Sequence, residues 1–184
     1  GSGFGTILLD AGDVLTAESL TMSETDPTPG SNPNMTSRGT LTIGTGASAT
    51  IGTLTLGSRQ SESDTPIDAT VNVDGGTLTV DKLQGGADQN NSPNDSRVVN
   101  LTSGTLAVGS FDQVPVTGVT AGPVVLNLDG GTLTHLAGED LTIASLFDLQ
   151  VLSASTILTD TGRSISISEV LDGAGALTKS GSGR

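Results

Sequence analysis

Two polar segments rich in Asp, Glu and Asn could bind a cation. The candidate ligands are Glu62 and Asp64 in the first segment and Asp88 and Asp95 in the second. Carboxylate and amide oxygens are the ligands that Ca²⁺ prefers. Neither segment has the spacing of an EF-hand or the G-G-x-G-x-D pattern of calcium-binding rolls. We therefore favour solvated acidic loops, keep calcium as the alternative, and predict no other cofactor.

Three further residues could take part in acid–base chemistry. Asp74 and Asp129 hold the same place before a Gly-Gly pair, as the acids of a polysaccharide-cleaving enzyme would. The matching position in a third copy is Thr102, and Asp before Gly is typical of a turn. His135 could be a general base, but no partner for it is evident from the sequence, so a packing role is favoured. G-x-S-x-G is absent, and we predict no catalytic residue.

A repeated phrase organises the chain and would position these side chains. VNVDGGTLTV at 71–80 returns at 99–108 and 126–135, with looser copies at 13–22 and 49–57. A unit that recurs every 20–50 residues or so is the signature of a solenoid. The leucine in the second half of each copy marks the repeat: Leu20, Leu54, Leu78, Leu106 and Leu133.

Alternation of apolar and polar residues within each copy indicates β-strands. We predict one all-β domain over 1–184, a right-handed parallel β-helix of about six or seven coils, each of 24–34 residues. Coils stacked at roughly 4.8 Å would pair their backbone groups along the whole stack. The alternative is an antiparallel β-sandwich. We favour the β-helix because a sandwich has no reason to repeat one coil.

The polar insertions and the threonines predict two kinds of outer surface. Long polar loops follow Met22, Leu56 and Val80, so all three should leave from one corner of the coil. Threonine pairs flank the marker leucines and should project outward in ladders. Such an array can bind ice, but threonine is also an ordinary exposed strand residue, which we favour. The pairs are Thr53/Thr55, Thr77/Thr79 and Thr132/Thr134.

Composition limits the partners. Seven basic and twenty acidic residues give a net charge of −13, which disfavours nucleic acid and anionic lipid. The absence of Cys excludes disulfides and zinc–thiolate sites. No apolar run reaches the roughly 18 residues of a membrane-spanning helix, so we predict no membrane insertion by this segment.

The C-terminal segment DGAGALTKSGSG, at 172–183, has a G-x-G-x-L-x-K-x-G-x-G pattern, formed by Gly173, Gly175, Leu177, Lys179, Gly181 and Gly183. It resembles the autotransporter-associated β-strand repeat of large secreted or surface-anchored bacterial proteins. The N-terminal GSGFGTILL resembles the continuation of that repeat, so we interpret the chain as a segment of a longer protein. The resemblance implies a β-helical stalk, adhesin or filament outside the cell, and no catalytic residue.

Three functional hypotheses follow. The first is a non-enzymatic, secreted or cell-surface structural module that associates with itself, head to tail or laterally. The second is a polysaccharide-degrading β-helix, which needs acids and bases clustered in a cleft. The third is a module that binds cell-surface glycans through its long loops. The bases look scattered along the sequence, which disfavours the second hypothesis: Arg38, Arg59, Lys82, Arg97 and Arg163.

Overall fold

The computed structural model describes residues 3–25, 36–59, 66–88, 94–114, 123–143 and 147–184. Within these ranges the chain is all-β, with no helix and therefore none that could cross a membrane. The strands are β1 (Gly3–Leu9), β2 (Val14–Thr25), β3 (Ser37–Gly44), β4 (Ser48–Arg59), β5 (Ile67–Gly85), β6 (Ser96–Gln113), β7 (Val124–Leu128), β8 (Thr132–His135), β9 (Leu141–Ile143), β10 (Phe147–Val151), β11 (Ser155–Leu158), β12 (Ile165–Ile167) and β13 (Leu177–Ser180).

All strand pairs in the described part of the chain are parallel. Eleven strands belong to one sheet, and β9 and β12 form a second, two-stranded sheet. The antiparallel sandwich, our alternative from the sequence, is therefore wrong. Two parallel strands need a long connection between them. Here that connection is most of a repeat, after which the chain pairs with the strand of the preceding repeat.

Inward side chains of successive repeats lie over one another in three columns. Val71 stands in a column with Leu41 and Val99, and all three side chains are fully buried. Leu78, Leu106 and Leu133 form the second column, as predicted. Leu54, Leu83 and Phe111 form the third, where the Phe111 and Phe147 rings meet edge to face at 4.6 Å. Val, Leu and Ile thus fill an interior that holds few aromatic rings.

The copies at 13–22 and 49–57 pair with each other as predicted, but their register against the copy at 71–80 is wrong by five residues. Leu20 pairs with Leu54, but Leu54 pairs with Leu83 instead of Leu78, whose partner is Ala49. The Gly-Thr-Leu-Thr sequence occurs at both places, yet the turns decide the register. Gly46 (φ 78°) and Gly75 (φ 89°) each precede the second column by three residues. Because glycine adopts positive φ at little cost, it forms the turn, and the turn determines the residue at which the following strand begins.

Neighbouring strands end at the same corner. Thr25 pairs with Arg59, and Arg59 forms a parallel bridge to Asp88. These pairings support a common corner, but the third predicted exit, at Val80, is wrong: Met22 and Leu56 pair with each other, whereas Val80 pairs with Ile51. The loops themselves lie mostly outside the described residues. The strands continue further than predicted: β5 runs past Val80 because Leu83 packs in the third column.

Candidate functional site

Four charged side chains meet inside this corner, and we refer to Arg59, Asp88, Asp95 and Arg97 as the charge cluster. Arg59 lies 2.6 Å from Asp95 and 3.5 Å from Asp88, measured from guanidinium nitrogen to carboxylate oxygen. Arg97 lies 3.1 Å from Asp88 and 3.7 Å from Asp95. The four side chains are at most 3 % exposed. Two cations and two anions therefore balance each other away from solvent.

Backbone groups complete the surroundings of the charge cluster. The Ile67 N–H donates to Asp95 Oδ1 at 3.0 Å, and Arg97 Nε donates to the Gly57 carbonyl at 3.3 Å. Arg59 is the last residue of β4, and Arg97 is the second residue of β6. Hydrogen bonds of this kind are required for buried charges, because their water has been removed.

Burial raises the pKa of the Asp95 carboxyl above its ordinary value, and its hydrogen bond with Asp88 raises it further. The Ile67 N–H and the Arg59 charge act in the opposite direction, while the Asp88 charge adds to the increase. Desolvation disfavours a lone carboxylate unless its partners compensate in full. The net direction is upward, so Asp95 holds a proton more tightly than a carboxyl in water does.

The structure gives the predicted calcium ligands different surroundings. Glu62 and Asp64 lie outside the described residues. Asp88 and Asp95 face two arginines, whose charges leave the charge cluster without the net negative charge that would attract Ca²⁺. No group of three or more acidic or histidine side chains suited to a metal occurs in the part of the chain that the structure describes. The favoured interpretation, solvated acidic side chains, is wrong for Asp88 and Asp95, which are buried, and calcium binding at these segments stays an untested alternative.

The prediction that the bases are scattered is wrong for two of them. Arg59 and Arg97 are brought together with Asp88 and Asp95, although they belong to different repeats. One signal in the sequence could have found Arg97. It precedes Val99 and Leu101 at intervals of two, so it shares their inward-facing side of β6. The same spacing places Asp95 two residues before Arg97, but no pattern in the sequence indicates that its partner is Arg59, 36 positions earlier.

His135 has a packing role, in agreement with the prediction. It occupies the inward position next to Val108 and is 4 % exposed. The Asp160 N–H donates to Nε2 at 3.1 Å, which assigns the ring proton to Nδ1. Nδ1 then donates to the Leu136 carbonyl at 2.7 Å. Both ring nitrogens are engaged with the backbone.

Asp74 belongs to a turn, but its partners differ from those expected. Asp74 Oδ1 accepts hydrogen bonds from Thr102 Oγ1 and Ser103 Oγ, both at 3.1 Å, so it connects its turn to that of the next repeat. The glycines after Asp74 and Asp129 have positive φ, as expected of a turn. Asp74 therefore binds hydroxyls of the neighbouring repeat instead of its own backbone.

The outer faces carry ladders of like residues. Thr77, Thr105 and Thr132 lie in one column that continues through Thr156 and Thr178. Thr53 and Thr55 were expected in such a column, but they pair with Lys82 and Gln84 on another face. That part of the threonine prediction is wrong, for the same reason of register.

An asparagine ladder on the face outside the first column was missed. Asn127 Nδ2 donates to Asn100 Oδ1 at 2.8 Å, and Asn100 Nδ2 donates to Asn72 Oδ1 at 2.9 Å. Asn72 Nδ2 in turn donates to Thr42 Oγ1 at 3.3 Å. The recurrence of Asn at the second position of the repeated phrase was the signal available in the sequence.

No protein-family model, no curated protein and no solved structure matches this chain.

Proposed function

We propose that this chain is a non-enzymatic structural module, folded as a right-handed parallel β-helix, from the stalk, adhesin or fibre of a secreted or cell-surface bacterial protein. The observation that carries the proposal is the parallel, in-register stacking of Leu78, Leu106 and Leu133. Parallel strands joined by crossovers follow the right-handed sense almost without exception.

The stacked arrangement suits a mechanical role. Backbone hydrogen bonds run from each repeat to the next, and the inward columns are fully buried in the middle repeats. Each repeat is stabilised by its neighbours, so length can be added without changing the cross-section. The resemblance of 172–183 to a repeat of surface proteins supports the extracellular location.

Self-association is the interaction that this module favours. Among the strands that the structure describes, β1 pairs only with β3 and β2 only with β4, so each has one edge without a described partner. A concave region of about 460 Å³ lies beside them, lined partly by Ile7, Leu20 and Met22. An unpaired strand edge with apolar neighbours accepts a further strand. We propose head-to-tail addition of a second copy as the way these edges are covered.

The exposed large apolar side chains support this arrangement. In the described residues they belong to the first repeat and to the last two, and the repeats between contribute none: Phe4, Leu8, Val14, Leu152, Leu158, Val170 and Leu171. Exposed apolar side chains grouped in this way mark surfaces that associate.

Sedimentation at rising protein concentration, with electron microscopy, tests the association. The wild type should form assemblies, and Val14→Asp should weaken them because it places a charge at the edge of β2. Thr105→Asp is the matched control, since Thr105 lies in the same outward column as Val14 but between paired strands. Monodisperse particles at all concentrations, or equal effects of the two variants, would overturn head-to-tail addition.

The stacked fold has its own test. In this Cys-free chain, the variant pair Thr77→Cys and Thr105→Cys should form a disulfide, because neighbouring strands bring their Cα atoms to about 5 Å. The pair Thr77→Cys and Thr156→Cys should not, since two strands separate the positions. Failure of the disulfide test would contradict the stacked fold, and with it the structural module. Failure of the sedimentation test would contradict only the self-association.

Glycan binding or cleavage is the competing function. A panel of acidic and neutral polysaccharides, assayed for new reducing ends and for retention of the protein, distinguishes it from the structural role. We expect no cleavage. Cleavage would overturn the non-enzymatic proposal, and retention without cleavage would indicate an adhesin.

A further inference from the structure

The charge cluster connects the two places where the chain leaves and re-enters the sheet in consecutive repeats. We call Arg59 and Ile67, on either side of 60–65, the first neck. Asp88 and Asp95, on either side of 89–93, form the second neck. Both necks lie at the same corner, because Arg59 bridges to Asp88 and its N–H donates to the Ala87 carbonyl.

Each close contact of the charge cluster that involves Arg59 or Ile67 crosses from one neck to the other. Arg59 contacts Asp95 at 2.6 Å and Asp88 at 3.5 Å. In return, Asp95 accepts the Ile67 N–H at 3.0 Å. Arg97, on the far side of the second neck, reaches back to the Gly57 carbonyl two residues before Arg59.

We propose that the charge cluster couples the two necks, so that the backbone at Arg59 and Ile67 and the backbone at Asp88 and Asp95 open together, as one unit. Opening either neck alone would leave buried charges of the other neck without their counter-charges, which costs far more than exposing a surface pair. Coupling between two sites is reciprocal, so a change at either neck must reach the other by the same factor.

An exposed ion pair close to the first neck allows the effect of burial to be separated from the effect of charge. Another ion pair, Arg38 with Asp68, lies next to Ile67, with a nitrogen–oxygen distance of 2.7 Å. Its side chains are 55 % and 25 % exposed. This pair therefore provides a matched control with the same charges and a similar position, but with access to water.

Amide hydrogen exchange of the full chain, read residue by residue, tests the coupling. The amide of Ile67 reports the first neck, that of Gly86 the second, and that of Leu106 the interior. Arg59→Met alters the first neck and Asp88→Asn the second. We expect each variant to accelerate exchange at both Ile67 and Gly86 by a similar factor of at least about ten, while Leu106, in the buried interior, should remain the slowest of the three amides.

Three outcomes would overturn the proposal. Acceleration only at the neck that carries the substitution would show two independent necks. Exchange at Ile67 and Gly86 as slow as at Leu106 would show that the necks open only when the whole fold unfolds, and equal acceleration of Ile67 by Arg38→Met would show that burial is irrelevant. If Arg59→Met does not fold, Arg97→Lys keeps the charge but removes the forked contacts, and it should accelerate both neck amides together by a smaller factor.

Discussion

Arg59 and Asp95 lie 36 positions apart in the chain, and their side chains form a 2.6 Å ion pair that is 0 % and 3 % exposed. A surface pair at this distance would contribute little to stability, because water would solvate either partner alone. A buried pair behaves differently, since removing one partner leaves the other charge without water and without its counter-charge. The first two predictions depend on this difference.

Removal of the Arg59 charge should destabilise the protein strongly. We expect Arg59→Met to lower the free energy of unfolding by about 3–5 kcal/mol. Arg38→Met should lower it by less than about 1 kcal/mol, because the Arg38–Asp68 pair is partly exposed. Urea unfolding followed by circular dichroism measures both. Equal losses in the two variants would contradict the role assigned to burial.

The raised pKa of Asp95 predicts a dependence of stability on pH. The folded protein binds this proton more tightly than the unfolded chain does, so its stability falls as pH rises from the unfolded pKa through the folded pKa. Asp95→Asn removes that titration.

The difference in unfolding free energy, wild type minus Asp95→Asn, should therefore be most positive at low pH and decrease as pH rises. Urea unfolding of both proteins between about pH 3 and 8 measures it. A difference that increases with pH would mean that the arginines dominate over burial.

Gly104 should tolerate no side chain. It has a φ of 80°, and a Cβ there would meet the Gly76 carbonyl oxygen of the preceding repeat. Gly138 has a similar φ of 88°, but a Cβ there would meet nothing within 4 Å. Gly138→Ala should cost about 1 kcal/mol for its backbone conformation alone.

Gly104→Ala should cost at least about 2 kcal/mol more than Gly138→Ala, because neighbouring backbones must separate. Thermal and urea unfolding of the pair measure this difference. Equal costs would show that the repeats are not in close backbone contact at this corner.

The asparagine ladder should be cooperative between neighbouring rungs. A double-mutant cycle of Asn72→Ala and Asn100→Ala should give an interaction free energy of about 0.5–1.5 kcal/mol, because it contains one direct hydrogen bond of 2.9 Å. The cycle of Thr79→Ala with Asn100→Ala is the control, since Thr79 pairs with Ala107 on a different face. Those two changes should add to within about 0.5 kcal/mol. Additivity in the first cycle would remove the ladder as a stabilising element.

The sequence by itself determined the class of fold and the stacking of its clearest copies. The phrase at 71–80 recurs with the same alternation, and Leu78, Leu106 and Leu133 do lie over one another in parallel strands. Alternation is readable because side chains of a strand point to opposite faces in turn. Repetition is readable because each repeat buries its apolar face against the next.

Only the tertiary structure decided the register of the early repeats and the partners of the charges. Leu54 lies over Leu83 because the turns at Gly46 and Gly75 determine where the following strands begin. The similarity of the two Gly-Thr-Leu-Thr sequences carries no information about the distance of each from its turn. Arg59 pairs with Asp95, 36 positions later in the chain, because stacking of the repeats brings the two to the same corner. Ion pairing acts between atoms that are close in space, whatever their separation along the chain, so composition showed the charges but not their burial.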